Sequence, residues 1–106
     1  MDLTKLANIT LFEDLNEQQS QVLAGVMREK VVPPGIAVFS QGQRAFSCFF
    51  IIEGTVHVHV QNEDTKQNKL VASIGKGEMI GELALVDGGL RSASCKAGSD
   101  QVVLAE

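Results

Sequence analysis

The sequence predicts one mainly β domain, either a sandwich or a jelly-roll barrel, with a helical part before it. Apolar residues follow a helical spacing only over residues 1–30, where residues 1–15 form a broken pattern. From Gly35 onward the apolar residues alternate with polar ones, and glycines separate the alternating segments. Short alternating segments with frequent turns are typical of antiparallel β folds. The 106 residues suit a single core, so we assign residues 31–106 to the β part.

A helix is predicted over residues 16–29. Asn16 followed by Gln19 is a capping-box signature, in which each side chain satisfies a backbone N–H of the other residue. Behind this cap the apolar residues recur on one stripe, and Arg28 and Lys30 fall where cations favour a helix C-terminus. A Pro-Pro-Gly sequence then ends the helix.

The strands follow in order along the rest of the chain. Their side chains alternate between an apolar and a polar face, which indicates half-buried strands. The predicted strands lie within residues 38–39, 49–52, 56–60, 70–74, 91–97 and 102–104.

Composition and charge exclude several classes of protein. The net charge of −4 argues against nonspecific nucleic-acid binding, and no apolar tract reaches membrane-spanning length. The first residues lack the apolar region of a signal peptide, so we expect a cytoplasmic protein. Cys48 and Cys95 lie in apolar strand-like segments and are expected to be buried free thiols.

The segment from Gly81 to Arg91 carries the clearest functional signal. A glycine precedes Glu82, and a short apolar segment separates this acid from Arg91. A carboxylate accepts from a hydroxyl, and a guanidinium donates in a fork to phosphate oxygens. If residues 81–87 begin a helical turn, the N–H groups of Leu83 and Ala84 also face an anion. A cyclic nucleotide, with one phosphate charge and a free ribose hydroxyl, fits this arrangement.

The segment 77–85, followed by Arg91-Ser92-Ala93, resembles the phosphate-binding cassette of cyclic nucleotide-binding domains. These domains occur in catabolite-activator-type regulators, in regulatory subunits of cyclic-AMP-dependent kinase and in gated channels. Further matches at the family's spacings are Leu11-Phe12, Leu15, Pro34-Gly35, Val38-Phe39, Gln41-Gly42, Phe49-Phe50-Ile51, Gly54-Thr55-Val56 and Val103-Leu104. The resemblance covers nearly the whole chain. It implies an antiparallel jelly-roll barrel (double-stranded β-helix) with a helical N-terminal subdomain and a short helix in a cassette at 81–93.

The resemblance also implies roles for the cassette residues. Glu82 would accept a hydrogen bond from the ribose 2′-hydroxyl, and Arg91 would pair with the exocyclic phosphate oxygens. Gly81 would let the phosphate approach the backbone. The amides of Leu83, Ala84 and either Ser92 or Ala93 would complete the anion shell.

The choice of base is less specified. A small residue after the arginine is frequent in cyclic-AMP binders and threonine is frequent in cyclic-GMP binders, so Ser92 favours cyclic AMP without excluding cyclic GMP. Val58, Val71 and Ala72 are candidates for the apolar wall of the base site, although ordinary core positions explain them equally well.

The sequence also departs from the family pattern. Gln43 and Phe46 stand where acidic residues are frequent, and Met79-Ile80 replaces an aromatic pair. In the family, two helices follow the last strand, and the second covers the base. Because the sequence ends at Glu106, we expect a chain that lacks this lid and tends to self-associate.

The sequence therefore predicts a regulatory domain that binds a cyclic nucleotide and passes a conformational change to an effector. The alternative is the same fold without nucleotide binding, acting in protein–protein contact. We expect no enzyme, since no nucleophile stands at a recognisable spacing from a base. His57 and His59 share one face of a strand but have no third partner, so no metal site is expected.

Overall fold

Short helices come first along the chain, and strands follow. The computed structural model describes residues 1, 3–6, 9–82, 84 and 89–106. The helices within these ranges are α1 (Leu3–Leu6), α2 (Thr10–Glu13) and α3 (Glu17–Val26). The strands are β1 (Glu29–Val32), β2 (Ala37–Phe39), β3 (Phe49–Glu53), β4 (Val56–Gln61), β5 (Asn68–Ile74), β6 (Met79–Ile80), β7 (Ser94–Ala97) and β8 (Val102–Ala105).

Helix α3 begins at the predicted capping box. The Gln19 N–H donates to the Asn16 side chain at 2.8 Å, and the Asn16 N–H donates to Gln19 Oε1 at 3.1 Å. The predicted C-terminus at residue 29 is wrong, because the helix ends at Val26. Arg28 instead exchanges two backbone hydrogen bonds with Glu106, and Lys30 lies in β1, a strand that the sequence analysis missed.

Two antiparallel sheets form the β part. One has the strand order β1-β8-β3-β6, and the other has the order β2-β7-β4-β5. Strand β8 shows how the layers fit together. Val102 and Leu104 pack between the sheets, whereas Val103 and Ala105 pack in a second cluster with residues of the helical part. The first sheet is therefore covered on both faces, which explains the continuous burial of β8.

The predicted fold class is confirmed: the domain is mainly β, of jelly-roll type, with helices at its N-terminal part. The two sheets do not close into a barrel. Residues 91–93 were predicted in a strand, yet β7 begins only at Ser94. No helix in the described part of the chain is long and apolar enough to span a membrane.

Candidate functional site

A cavity of about 130 Å³ lies where the cassette meets both sheets. Its lining combines an apolar wall from the strands with the cassette's charged side chains. The lining residues are Phe39, Val58, Ile74, Met79, Ile80, Gly81, Glu82, Ala84, Arg91, Ser92, Ala93 and Cys95. The structure thus brings together every described cassette residue that the sequence analysis named. Leu83 falls outside the described residues.

Arg91 is the central group of this cavity, and it is only 5% exposed. Its Nη1 donates to the Gly81 carbonyl at 2.9 Å, and its Nη2 donates to the Ser47 carbonyl at 2.8 Å. The guanidinium carbon lies 4.1 Å from the centre of the Phe39 ring. The Nε atom is buried and has no hydrogen-bond partner in the described structure. A buried cation that neutral groups hold, and whose Nε donates to none of the described residues, is suited to an anion.

The position of Arg91 leaves no room for a side chain at Gly81. Its φ of +85° is in the left-handed region, and a Cβ there would lie 2.5 Å from Arg91 Nη1. The same Cβ would lie 3.3 Å from the Phe39 ring. The sequence predicts that a phosphate comes close to the backbone of this glycine. In the structure, the close neighbour is the arginine itself.

The acidic residue of the cassette stands at the start of a helical segment. Glu82 and Ala84 have helical backbone conformation, Glu82 is half-buried and Ala84 is buried. The Ala84 carbonyl accepts from the Gly89 N–H at 2.7 Å. Across the cavity, Ser92 is exposed and Ala93 is half-buried. In the described structure, no carboxylate lies within ion-pair distance of Arg91. An ion pair is formed elsewhere, between Lys5 and Glu29.

Cys95 faces the same cavity from β7. Burial raises the pKa of the Cys95 thiol to about 11, although the positive charge of Arg91 lowers it and Glu82 raises it further. The thiol is therefore neutral at physiological pH. Cys48 and Cys95 are both free cysteines, as expected, but Cys48 is only half-buried.

The structure places only one of the three candidates for the base wall at the cavity. Val58 lines the cavity, whereas Val71 and Ala72 do not. A register shift pairs Val58 with Ala72 and His59 with Leu70, so Val71 is opposite no residue of β4 and is 51% exposed. Regular alternation along a strand gives no sign of such a bulge.

Sequence reasoning missed several lining residues. Phe39 and Ile74 lie on predicted strands and could have been found from their alternation, and Cys95 shares a face with Ala93. Nothing in the sequence pointed to Ser47, because it contacts Arg91 through its main-chain carbonyl, a group that every residue has.

His57 and His59 alternate with Val56 and Val58, which pack in the core. Both rings are half-buried, and His57 Nδ1 lies 2.9 Å from Ser73 Oγ. Within the residues described, no group of three or more His, Cys, Asp or Glu side chains could hold a metal ion.

The sequence profile of the cyclic nucleotide-binding domain family matches residues 29–105. The chain belongs to this family. The cAMP-dependent protein kinase type II regulatory subunit of Drosophila melanogaster is 33% identical over 94% of the chain and 26% of that relative. The cyclic AMP receptor protein of Thermus thermophilus is 30% identical over 90% of the chain and 44% of that relative. A cGMP-dependent protein kinase of Drosophila melanogaster is 33% identical over 84% of the chain and 10% of that relative.

Solved structures of the family superpose well on this domain. A variant regulatory subunit of a cAMP-independent protein kinase A from Trypanosoma brucei, bound to cAMP in its A site, gives a TM-score of 0.87 at 27% identity. That match covers 97% of the domain and 37% of the other chain. The Thermus thermophilus catabolite activator protein gives 0.78 at 29% identity, over 90% and 44%. The domain thus spans less than half of these two proteins.

Proposed function

We propose that this domain binds cyclic AMP in the cavity around Arg91 and passes a conformational change to an effector. The observation that carries the proposal is the buried guanidinium of Arg91, which lines the same cavity as Glu82 and whose Nε has no hydrogen-bond partner among the described residues. In this proposal Arg91 binds the cyclic phosphate, and Glu82 accepts from the ribose 2′-hydroxyl. The amides of Leu83, Ala84 and Ser92 or Ala93 complete the anion shell.

The charge balance of the cavity supports an anionic ligand. Two main-chain carbonyls and an aromatic face stabilise Arg91 in part, but each carries only a partial negative charge. A buried charge is costly unless it is paired and hydrogen-bonded. A phosphate with a single negative charge would supply the missing pair and an acceptor for Nε. The relatives named for cAMP and cGMP support a cyclic nucleotide as the anion.

The size of the cavity limits how much of a nucleotide it can hold as it stands. Its volume of about 130 Å³ is below the range of roughly 300–1,000 Å³ that is common for pockets of drug-sized ligands. A whole nucleotide therefore requires the cassette to move, or requires the base to stay outside the cavity. In the second case the base lies near Val58 and Met79, which is 38% exposed at the cavity.

The preference for cyclic AMP rests on Ser92. This residue is exposed and lines the cavity. Its hydroxyl can contact either the phosphate or an exocyclic amino group, so titrations with cyclic AMP and cyclic GMP must be compared directly.

Isothermal titration calorimetry with each nucleotide tests the proposal. Arg91→Ala should weaken binding of cyclic AMP at least about a hundredfold, because loss of a charged hydrogen-bonding partner in a desolvated site costs on the order of 2–5 kcal/mol. Lys76→Ala, which removes an exposed positive charge outside the cavity, is the control and should bind like the native chain.

Circular dichroism must show that Arg91→Ala remains folded. Equal affinity of a folded Arg91→Ala variant and the native chain would contradict the proposed role of Arg91. Absence of binding by the native chain would instead favour a domain of this fold that acts through protein contacts.

A further inference from the structure

Ser47 makes contacts on two sides, one through its carbonyl and one through its hydroxyl. Its carbonyl accepts from Arg91 Nη2 at 2.8 Å. Its hydroxyl donates to Glu106 Oε2, also at 2.8 Å. One residue therefore contacts both the cation of the cavity and the residue that follows β8.

The loop that carries Ser47, residues 40–48, is bound to the segment of Arg91 by several main-chain hydrogen bonds. Gly42 donates to the Arg91 carbonyl at 2.8 Å, and the Arg91 N–H donates to the Gln43 carbonyl at 2.7 Å. Ala45 donates to the Gly89 carbonyl at 2.5 Å. Both the main chain and the side chain of Arg91 are therefore hydrogen-bonded to this loop.

Glu106 connects to the helical part through its backbone. Its N–H donates to the Arg28 carbonyl at 2.8 Å, and the Arg28 N–H donates to its carbonyl at 3.1 Å. Arg28 lies between the end of α3 and the start of β1. The adjacent Met27 is buried in the cluster that packs the helical part on the first sheet.

We infer that Ser47 is a positioning residue that couples the occupancy of the cavity to the junction between α3 and β1. The series of contacts runs from Arg91 through the carbonyl and hydroxyl of Ser47 to Glu106 and then to Arg28. When an anion takes the guanidinium away from the Ser47 carbonyl, the loop shifts and the hydroxyl contact with Glu106 weakens. This inference deepens the proposed function and rests on it for the identity of the ligand.

The serine hydroxyl holds the loop in the position that the structure shows, through its contact with Glu106. Ser47→Ala removes this hold and keeps the carbonyl, so cyclic AMP should bind more tightly, by about two- to tenfold, the range of one net hydrogen bond. Glu106→Gln should have a smaller effect in the same direction. The double variant should bind no more tightly than Ser47→Ala, because both changes remove the same contact.

A double-mutant cycle that is measured without nucleotide tests the coupling independently of binding. Amide hydrogen exchange at Arg28 is measured by NMR in the native chain, Arg91→Lys, Ser47→Ala and the double variant. Arg91→Lys should accelerate Arg28 exchange at least about threefold in the native background and less than about 1.5-fold in the Ser47→Ala background. Ser99→Ala, an exposed serine in a separate turn, is the control background and should preserve the full response. If Arg91→Lys does not fold, Phe39→Leu replaces it, since this change removes the ring against the guanidinium.

The outcomes separate the two proposals. Equal responses of Arg28 in the native and Ser47→Ala backgrounds would overturn the coupling, whatever the affinity for nucleotide. A native chain that shows the cycle but binds no cyclic nucleotide would overturn the proposed function and leave the coupling supported.

Discussion

At the scale of single residues, Gly81 and Arg91 depend on each other. Gly81→Ala should destabilise the fold by roughly 1–3 kcal/mol more than Gly42→Ala does, and it should weaken cyclic AMP binding. Both glycines have nearly the same positive φ, +85° and +86°, so the backbone strain of alanine is matched. Around Gly42 an added Cβ meets open space, whereas at Gly81 it meets the Arg91 guanidinium. Urea denaturation of both variants measures the difference, and equal losses would show that Arg91 moves aside without cost.

Cys95 gives the domain a pH dependence above neutrality. Its pKa is raised in the folded state, so the thiolate forms more readily in the unfolded chain. The stability that this group contributes is therefore complete below about pH 9 and is lost as the pH rises to about 11. The loss amounts to about 2–3 kcal/mol for a shift of this size.

The measurement is the free energy of unfolding from pH 8 to pH 11 for the native chain and for Cys95→Ala. The variant should show a flatter decline, because it lacks the thiol of Cys95 and the chain has no tyrosine. Cys48→Ala, which removes the other thiol, is the control and should retain the native slope. Parallel curves for native and Cys95→Ala would contradict the raised pKa.

At the scale of elements, α3 depends on its cap because it buries little surface. Within the helix only Ala24 is fully buried. Asn16→Ala should therefore destabilise the domain by about 0.5–2 kcal/mol, since the Gln19 N–H loses its side-chain acceptor at the start of the helix. Asn16→Asp, which keeps the acceptor, should have a much smaller effect. Chemical denaturation followed by far-ultraviolet circular dichroism compares the two variants, and equal losses would show that the capping contact is not the cause.

The start of α3 could be predicted and its end could not, for a physical reason. The capping box is a contact between residues three positions apart, so the local sequence contains all of it. The end of the helix is decided by the pairing of β1 with β8, whose residues are distant in the sequence. Helical propensity alone would extend α3 through Arg28. The backbone of Arg28 instead forms its hydrogen bonds with Glu106.

The same distinction applies to the candidate site. The cassette pattern placed Glu82 and Arg91 at one cavity because the chain between them is short. The partners of Arg91 were not predictable, since Ser47 lies 44 residues away and contributes a main-chain atom. The bulge in β5 removed Val71 from the expected wall for a comparable reason, because pairing with β4 sets the register there.

At the scale of the whole molecule, the two hydrophobic clusters share one strand. Alternate residues of β8 enter the core between the sheets and the cluster under the helices. Neither cluster can lose its packing without exposing β8, so we expect helices and sheets to unfold in one cooperative transition.

Nucleotide should therefore stabilise the entire molecule, although it contacts only the cavity. A ligand that binds only the folded state, at a hundred times its dissociation constant, adds about 2.7 kcal/mol to the free energy of unfolding. For a domain of this size, each kcal/mol raises Tm by roughly 4–8 °C. The shift should be equal when NMR signals of α3 and of β4 report the melting. In Arg91→Ala at the same concentration of cyclic AMP, a hundredfold weaker affinity leaves about 0.4 kcal/mol or less of this stabilisation. A shift confined to β4, with α3 melting at its unliganded temperature, would show that the helical part folds independently and receives no signal from the cavity.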